Sequence, residues 1–405
     1  MPKNLNPIEL AARDWRVFWI FAIVLLTMPI WMAPLGGFSG LYKQIAVFGL
    51  VVVGFNLLFG LTGYLSFGHA AFIGVGSYAA VWAYKLFSLQ ILPAIILSCV
   101  MGGLFAFAIG YFSLRRSGIY FSILTLAFAE MMYRLAYSVL TPITNGETAL
   151  QVLPQDPIIL DRAMGIEQAV FKPYMFGNWF VESELHWHIN LGFMEFDVVY
   201  QTAATLCALF LLIGLYIAIR ITRSPFGMML KAIKANQNRL SYTGVSTRPY
   251  LLTIFVISGM YAGLAGGLLS VADPLAGAEK MHWTASGEIV IMTILGGVGT
   301  FIGPIVGVGV IEYFESILST FNSNVLENFF SWLPEGLHGA AVWTSAWFVG
   351  EGWHLTLGIL FVLVIIFLPG GIAEGARRMM VWLQRPVNSK ADAVTADADS
   401  KGAEQ

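Results

Sequence analysis

The chain has 405 residues, 57% of them hydrophobic and only 11% charged, with a mean hydropathy of +0.73. Soluble globular domains carry about a quarter of their residues as Asp, Glu, Lys and Arg, so that class is excluded. A transmembrane barrel is excluded too, because its short alternating segments are not what these long, uniformly apolar runs contain; the net charge of −2 says little until its distribution is read.

Roughly 20 apolar residues in a helix cross the ~30 Å hydrocarbon core, and Lys and Arg mark the ends that stay in the cytoplasm. Residues 1–16 carry Lys3, Arg13 and Arg16 and read as a cytoplasmic tail. The apolar run after them is too long for a signal-peptide core, so 17–35 is expected as a retained first span. Further spans are expected at 44–60, 68–84, 91–112 and 118–139, with Arg115 and Arg116 falling inside. Residues 141–197 hold eight acids and two bases and are expected as a periplasmic insertion. Span 198–219 returns to a cytoplasmic loop at 220–249, and span 250–271 leaves again. The last span, 355–373, ends at Arg377, Arg378 and Arg385, inside. The fold class is therefore an all-α polytopic membrane protein. About eight full spans lie in a membrane domain at 17–385, and a disordered cytoplasmic tail follows at 386–405. Both termini are expected in the cytoplasm.

This parity closes only if 286–315 enters and leaves on one side, or crosses twice with short helices. Its core, "ILGGVGTFIGPIVGVGV" (294–310), places Gly296, Gly297, Gly299 and Gly303 around Pro304 and predicts a break at mid-membrane depth. The first half has a counterpart, "FGLTGYLSFGHAAFIGVGSYAA" (59–80), where Gly63, Ser66, Gly68 and His69 interrupt the apolar run. Broken backbone in a membrane is tolerated where it is buried in protein or lines a cavity. One such segment in each half points to a transport pathway; tight helix packing is the alternative.

Between Arg220 and Arg248 lie six basic residues and no acid. Within "RSPFGMMLKAIKANQNRLSYTGV" (223–245), Ser224-Pro225 starts a helix and Gly244 stops it. Phe226, Met229, Leu230 and Ile233 give it an apolar stripe. Such a helix is either held at the interface by anionic lipid or docks a soluble partner.

Smaller constellations complete the reading. Glu130 and Arg134 stand at i, i+4 inside a span, where charges pair or face water. His69 is either a packing residue or a cargo contact. His186-Trp187-His188 sets two imidazoles on one side of an extended strand, too few ligands for zinc; no metal site is expected. Cys99 and Cys207 fall inside spans as small buried hydrophobes. No phosphate loop, Gly-x-Ser-x-Gly or His-Glu-x-x-His is present, so no catalytic residue is assigned and ATP is not expected to bind this chain.

"GFNLLFGLTGYLSFGHAAFIGVGSYAA" (54–80), "YFSILTLAFAEMMYRL" (120–135), the 223–245 segment, "GLAGGLLS" (263–270) and "ILGGVGTFIGPIVG" (294–307) occur in order over most of 40–375. Together they resemble the LivM-type permease subunits of branched-chain amino acid ABC importers. The resemblance implies that 223–245 is the coupling loop docking on ATPase subunits, through Pro225, Phe226, Gly227, Met229, Leu230, Ala232, Ile233 and Gly244. It implies a bacterial inner-membrane location and four kinds of partner: a homologous second permease, two ATP-binding subunits that use ATP and Mg, a periplasmic solute-binding protein and a small-molecule cargo. The acids usual after the "KAI" turn are missing at Lys234-Ala235-Asn236-Gln237-Asn238. Cargo is expected to be a branched-chain or related hydrophobic amino acid, with urea, short amides or aromatic carboxylates as alternatives. Readings from other classes are an intramembrane lipid- or peptide-modifying enzyme using His69 and Glu130, and a channel without ATP.

Overall fold

The computed structural model describes residues 7–153, 155–163, 173–175, 179–180, 184–190, 195–320, 347–368 and 370–375, with single positions at 339, 343, 345 and 378. The expected tail at 386–405 lies outside these residues.

α1 (Pro7–Leu26) begins inside the stretch read as an N-terminal tail. It meets α2 (Met28–Met32) at a 56° bend. Pro29 has no amide hydrogen to continue the ladder, and the Thr27 hydroxyl donates to Ile23 O instead at 2.7 Å. The first span is thus broken where a single helix over 17–35 is expected. α3 (Ser39–Thr62), α4 (His69–Leu86), α5 (Ile91–Ser113) and α6 (Ile119–Arg134) follow, α6 passing into one π-helical turn at Leu135–Val139. The short α7 (Thr141–Thr144) and α8 (Ile159–Ala163) lie in the polar insertion. The second half contains α9 (Thr202–Arg223), α10 (Pro225–Tyr242), α11 (Arg248–Ala272), α12 (Trp283–Gly296), α13 (Gly303–Thr320) and α14 (Trp353–Phe367). Among the described residues five helices are long and apolar enough to cross a membrane, six if the bent pair counts as one span. The chain is a mostly helical polytopic membrane protein, whose described residues hold long, broken and short apolar helices.

It is not purely α. β1 (Leu150–Gln151) pairs with β6 (Leu275–Ala276), and β2 (Tyr174–Met175) with β3 (Trp179–Phe180). β4 (Glu184–Asn190) and β5 (Glu195–Gln201) form an antiparallel hairpin with Glu184 opposite Gln201. The β-branched and aromatic run Phe196–Tyr200 favours a strand, so the span expected from 198 starts four residues later, at Thr202. The insertion is tied to the α4–α5 corner by the buried Asp161. Its carboxylate accepts from Ser88 Oγ at 2.6 Å, Tyr174 OH at 3.0 Å and Leu89 N at 3.1 Å.

Lipid tails offer helices no hydrophobic reason to associate, so small residues and hydroxyl contacts hold the bundle. The seam is α11 against α4 and α5. A Cβ on Gly263 would stand 2.6 Å from Ser98 O and 2.7 Å from the Gly102 Cα, and one on Gly266 would overlap Ile73 O. Ser98 Oγ donates to Gly76 O at 2.8 Å, and the Ser77 and Ser270 hydroxyls are 2.8 Å apart. "GLAGGLLS" is therefore the backbone-to-backbone core of the fold. α3 packs between α9, α11 and α13 with Val47, Val51, Phe55 and Leu58 fully buried. Cys99 and Cys207 are free thiols; Cys207 is buried as expected, whereas Cys99 is half-buried.

Candidate functional site

α10 starts as its sequence predicts. Ser224 Oγ accepts from Gly227 N at 3.2 Å, and Pro225 fills the first position, where its missing donor costs nothing. The orientation differs from the expectation. Leu230 and Ile233 are buried at 0% and 2%, and Phe226 stacks on Tyr250 at 5.9 Å. A Cβ on Gly227 would stand 2.6 Å from Thr222 O. The apolar stripe is spent on fastening α10 to the bundle, since neighbouring helix ends already offer it an apolar surface. Met229 and Ala232 are half-buried; the free face is Pro225, Met228, Lys231, Ala235, Arg239 and Tyr242, with Tyr242 88% exposed. At Asn236 the backbone is extended (φ −166°, ψ 99°), and its Oδ1 accepts from Arg239 N at 2.9 Å, recapping the last turn. This break falls where the resemblance leads one to expect acids. Gly244 lies just past the helix end.

α10 is wired to the first glycine-broken segment, and α3 links that segment to the second. α3 stops at Gly63, whose φ of 78° is left-handed and suits glycine alone at little cost. Lys234 Nζ donates to Gly60 O at 2.9 Å, and Tyr64 OH donates to Gln237 Oε1 at 2.9 Å. Gln237 Nε2 in turn donates to Thr247 Oγ1, ahead of α11, at 3.1 Å. Higher on α3, Asn56 clamps the 297–302 turn with both ends of its amide: Nδ2 donates to Thr300 O and Oδ1 accepts from Gly299 N, each at 2.8 Å. Gly60 touches the same turn, since a Cβ there would be 3.2 Å from the Gly299 Cα. Gly297 meets Gly371 from the other side. α12 and α13 form a hairpin closed by Gly296 and Gly303, where a Cβ on Gly303 would stand 2.7 Å from Gly296 O. The 286–315 region is thus two short helices. Its break sits beside the last two turns of α3, at the α10 end of the bundle. Asn56 and Thr300 were not singled out by sequence, and Lys234 and Gln237 were named only for the acids missing there; Asn56, a lone amide in an apolar run, is the one signal that could have found the contact.

The break at 63–68 runs as non-helical backbone within the bundle, and hydroxyls satisfy it. Ser122 Oγ donates to Leu65 O at 2.6 Å, Phe67 N donates to Thr125 Oγ1 at 3.2 Å, and Gly68 N donates to Ser66 Oγ at 3.2 Å. Ser286 Oγ on α12 accepts from Ala70 N at 3.0 Å. Gly68 must be small here, because its Cβ would lie 3.1 Å from Thr125 O. His69 is fully buried, edge-on to Phe55 and Phe72 at 5.0 and 5.7 Å. Its Nε2 is 2.7 Å from Ser258 Oγ, which in turn lies 2.7 Å from Gly54 O, so the ring is held in a chain of polar contacts between α4, α11 and α3. No hydrogen bond joins His69 to Glu130 among the described residues.

Glu130 and Arg134 form an ion pair, Nε to Oε1 at 2.8 Å. It lies on the outward face of α6 with Ile123, Ala127 and Met131, and the Arg134 side chain is 68% exposed. Charges on a membrane helix face protein or water in preference to lipid, so this face belongs against a second protein or an aqueous path. Glu130→Gln and Arg134→Gln are each expected to lower folded yield several-fold, because the survivor is left unpaired, and the double variant to recover part of that loss. A double-mutant cycle checks it; additive losses without coupling would assign each side chain a separate partner. Among the described residues no His, Cys, Asp and Glu cluster is arranged to hold a metal, and His186 Nε2 instead faces Glu184 Oε2 at 3.4 Å.

Comparison with known proteins places this geometry. A family model described as branched-chain amino acid transport system / permease component matches residues 37–367. The high-affinity branched-chain amino acid transport system permease protein LivM of Escherichia coli (strain K12) is 24% identical over 306 residues, covering 72% of this chain and 67% of LivM. Its counterpart LivH from the same strain is 22% identical over 290 residues, 69% of this chain and 83% of LivH. The D-allose transport system permease protein AlsC of that strain is 32% identical over 102 residues, 24% of this chain and 31% of AlsC. No solved structure matches the chain. With most of its length covered by the family, including both glycine breaks and α10, the chain belongs to the permease component family of branched-chain amino acid transport systems.

Proposed function

We propose that the chain is a membrane subunit of an ATP-driven importer in the bacterial inner membrane, moving branched-chain or related hydrophobic amino acids by alternating access. The observation that carries this is the placement of α10. It projects at one end of the bundle and is hydrogen-bonded through Lys234 and Gln237 to the ends of the membrane helices. A push on α10 therefore reaches the first glycine break directly and the second through the end of α3. The α10 end is the cytoplasmic one in this reading, and ATP and Mg are used by two ATP-binding subunits docked there. Relatives named LivM and LivH are both permease proteins of a branched-chain amino acid system, which supports a pair of permeases, with the charged face of α6 turned to the shared path. A solute-binding protein delivers cargo at the other end.

Docking is assigned to the outward face of α10, around Met228 and Tyr242. Met228→Asp with Tyr242→Asp should cut co-purification of the ATP-binding subunits about tenfold or more, as loss of an interface anchor does, with membrane insertion intact. Ile233→Asp should instead loosen α10 itself, because Ile233 is buried. Full co-purification with the Met228/Tyr242 variant would remove this face from the interface.

A further inference from the structure

A cavity of about 360 Å³ opens between α1 and α9 at the α10 end of the bundle. One wall is aromatic. The rings of Trp15 and Phe18 are 5.7 Å apart, those of Trp15 and Tyr216 5.7 Å, and those of Phe18 and Tyr216 6.5 Å. The other wall is Arg220, Arg223 and Ser224, the end of α9 and the cap of α10.

The depth of this cavity follows from α9. Its apolar stretch ends at Arg220, so the cavity lies where hydrocarbon gives way to headgroups, the level at which Trp and Tyr concentrate. The adjoining face of α1 shows Trp19, Ile20 and Ile23 outward, each more than 60% exposed, as a lipid-facing surface does. Arg220 is exposed and makes no ion pair among the described residues, whereas Arg223 has a further contact within the chain. The segment 220–248 itself carries no carboxylate. Guanidinium groups match phosphate oxygens, and basic pockets between membrane helices take anionic headgroups. The positive end of α10 begins at Pro225, beside the same mouth. A free anion would have no use for the aromatic wall; a lipid, with apolar carbons next to its phosphate, uses both walls.

We infer that this cavity binds the phosphate-bearing headgroup of an anionic phospholipid from the leaflet on the α10 side. Arg220 is its principal ligand, and Trp15 and Tyr216 pack the glycerol and upper acyl carbons. Because Ser224 both lines the cavity and caps α10, the bound lipid braces the start of that helix.

The test is native mass spectrometry of the purified full chain in detergent, titrated with phosphatidylglycerol, phosphatidylcholine or inorganic phosphate. Phosphatidylglycerol is expected to bind about tenfold more tightly than phosphatidylcholine. Arg220→Gln should weaken it about fivefold, at the usual contribution of one basic residue near a membrane surface, and the Arg220→Gln/Arg223→Gln pair at least as much. Arg220→Lys should retain most of the preference. Equal retention of the two lipids, or unchanged phosphatidylglycerol binding in the double variant, overturns the site. Displacement of phosphatidylglycerol by millimolar phosphate overturns the lipid source and leaves a free-anion site. If Arg220→Gln does not accumulate, the wild-type comparison of the three ligands decides alone.

Discussion

Gly263→Leu should remove the folded protein from the membrane. Gly263 stands where α11 meets α5, with Ser98 O and the Gly102 Cα already within 2.7 Å of where its Cβ would be. Those are backbone atoms of a helix that cannot turn aside as a side chain would. Overpacking a tight core costs about 1–3 kcal/mol, and more is expected here because the seam also carries the Ser98–Gly76 hydrogen bond. Monodisperse protein extracted from membranes should fall tenfold or more. Gly358→Leu in α14, where a Cβ meets nothing within 4 Å, is the matched control and should accumulate normally. Equal yields of the two variants would show that α11 does not pack on α5 through its glycines.

The second large effect is expected at Asn56. Asn56→Leu deletes both hydrogen bonds to the 297–302 turn while keeping the side chain's size. Each neutral bond contributes only about 1 kcal/mol net, too little to unfold the chain. In the reconstituted transporter ATP hydrolysis should persist while uptake drops about tenfold, so the amount transported per ATP collapses. Asn56→Asp keeps the bond from Gly299 N and loses that to Thr300 O, and should fall between. Lys234→Met, which removes the contact with Gly60 O, should show the same phenotype and combine with Asn56→Leu less than additively, as members of one route do. A merely structural role would lower yield and leave the transport-to-hydrolysis ratio untouched.

Much of this arrangement is legible in the residues. Ser224-Pro225 marks the start of α10, Gly63 and Gly68 bracket the first break, and Gly296 to Gly303 bracket the second, because Pro suits a first helical position, Gly63 takes a left-handed φ, and Gly68, Gly296 and Gly303 lie close to neighbouring backbone. The orientation of α10 is not legible. An apolar stripe shows that something covers Leu230 and Ile233, and local periodicity cannot say whether the cover is the chain's own bundle or a partner. The neighbour of the second break is hidden for a related reason. Asn56 and Thr300 are 244 positions apart, and only the folded chain brings the amide to the turn. Pro29 did carry the signal for the bent first span, but an apolar run of the right length masked it. The strand β5 was hidden likewise, its Phe196–Tyr200 run continuing directly into the apolar helix α9.

The most direct measurement is uptake of labelled leucine into sealed proteoliposomes containing the chain with its partner permease and ATP-binding subunits, the solute-binding protein being supplied on the face opposite α10. Accumulation against a gradient that requires ATP on the α10 side, and that disappears in the Met228→Asp/Tyr242→Asp variant, is the expected result. Leucine entry that proceeds equally without ATP, or ATP-dependent entry that survives the loss of the α10 face, would contradict an importer driven through this helix.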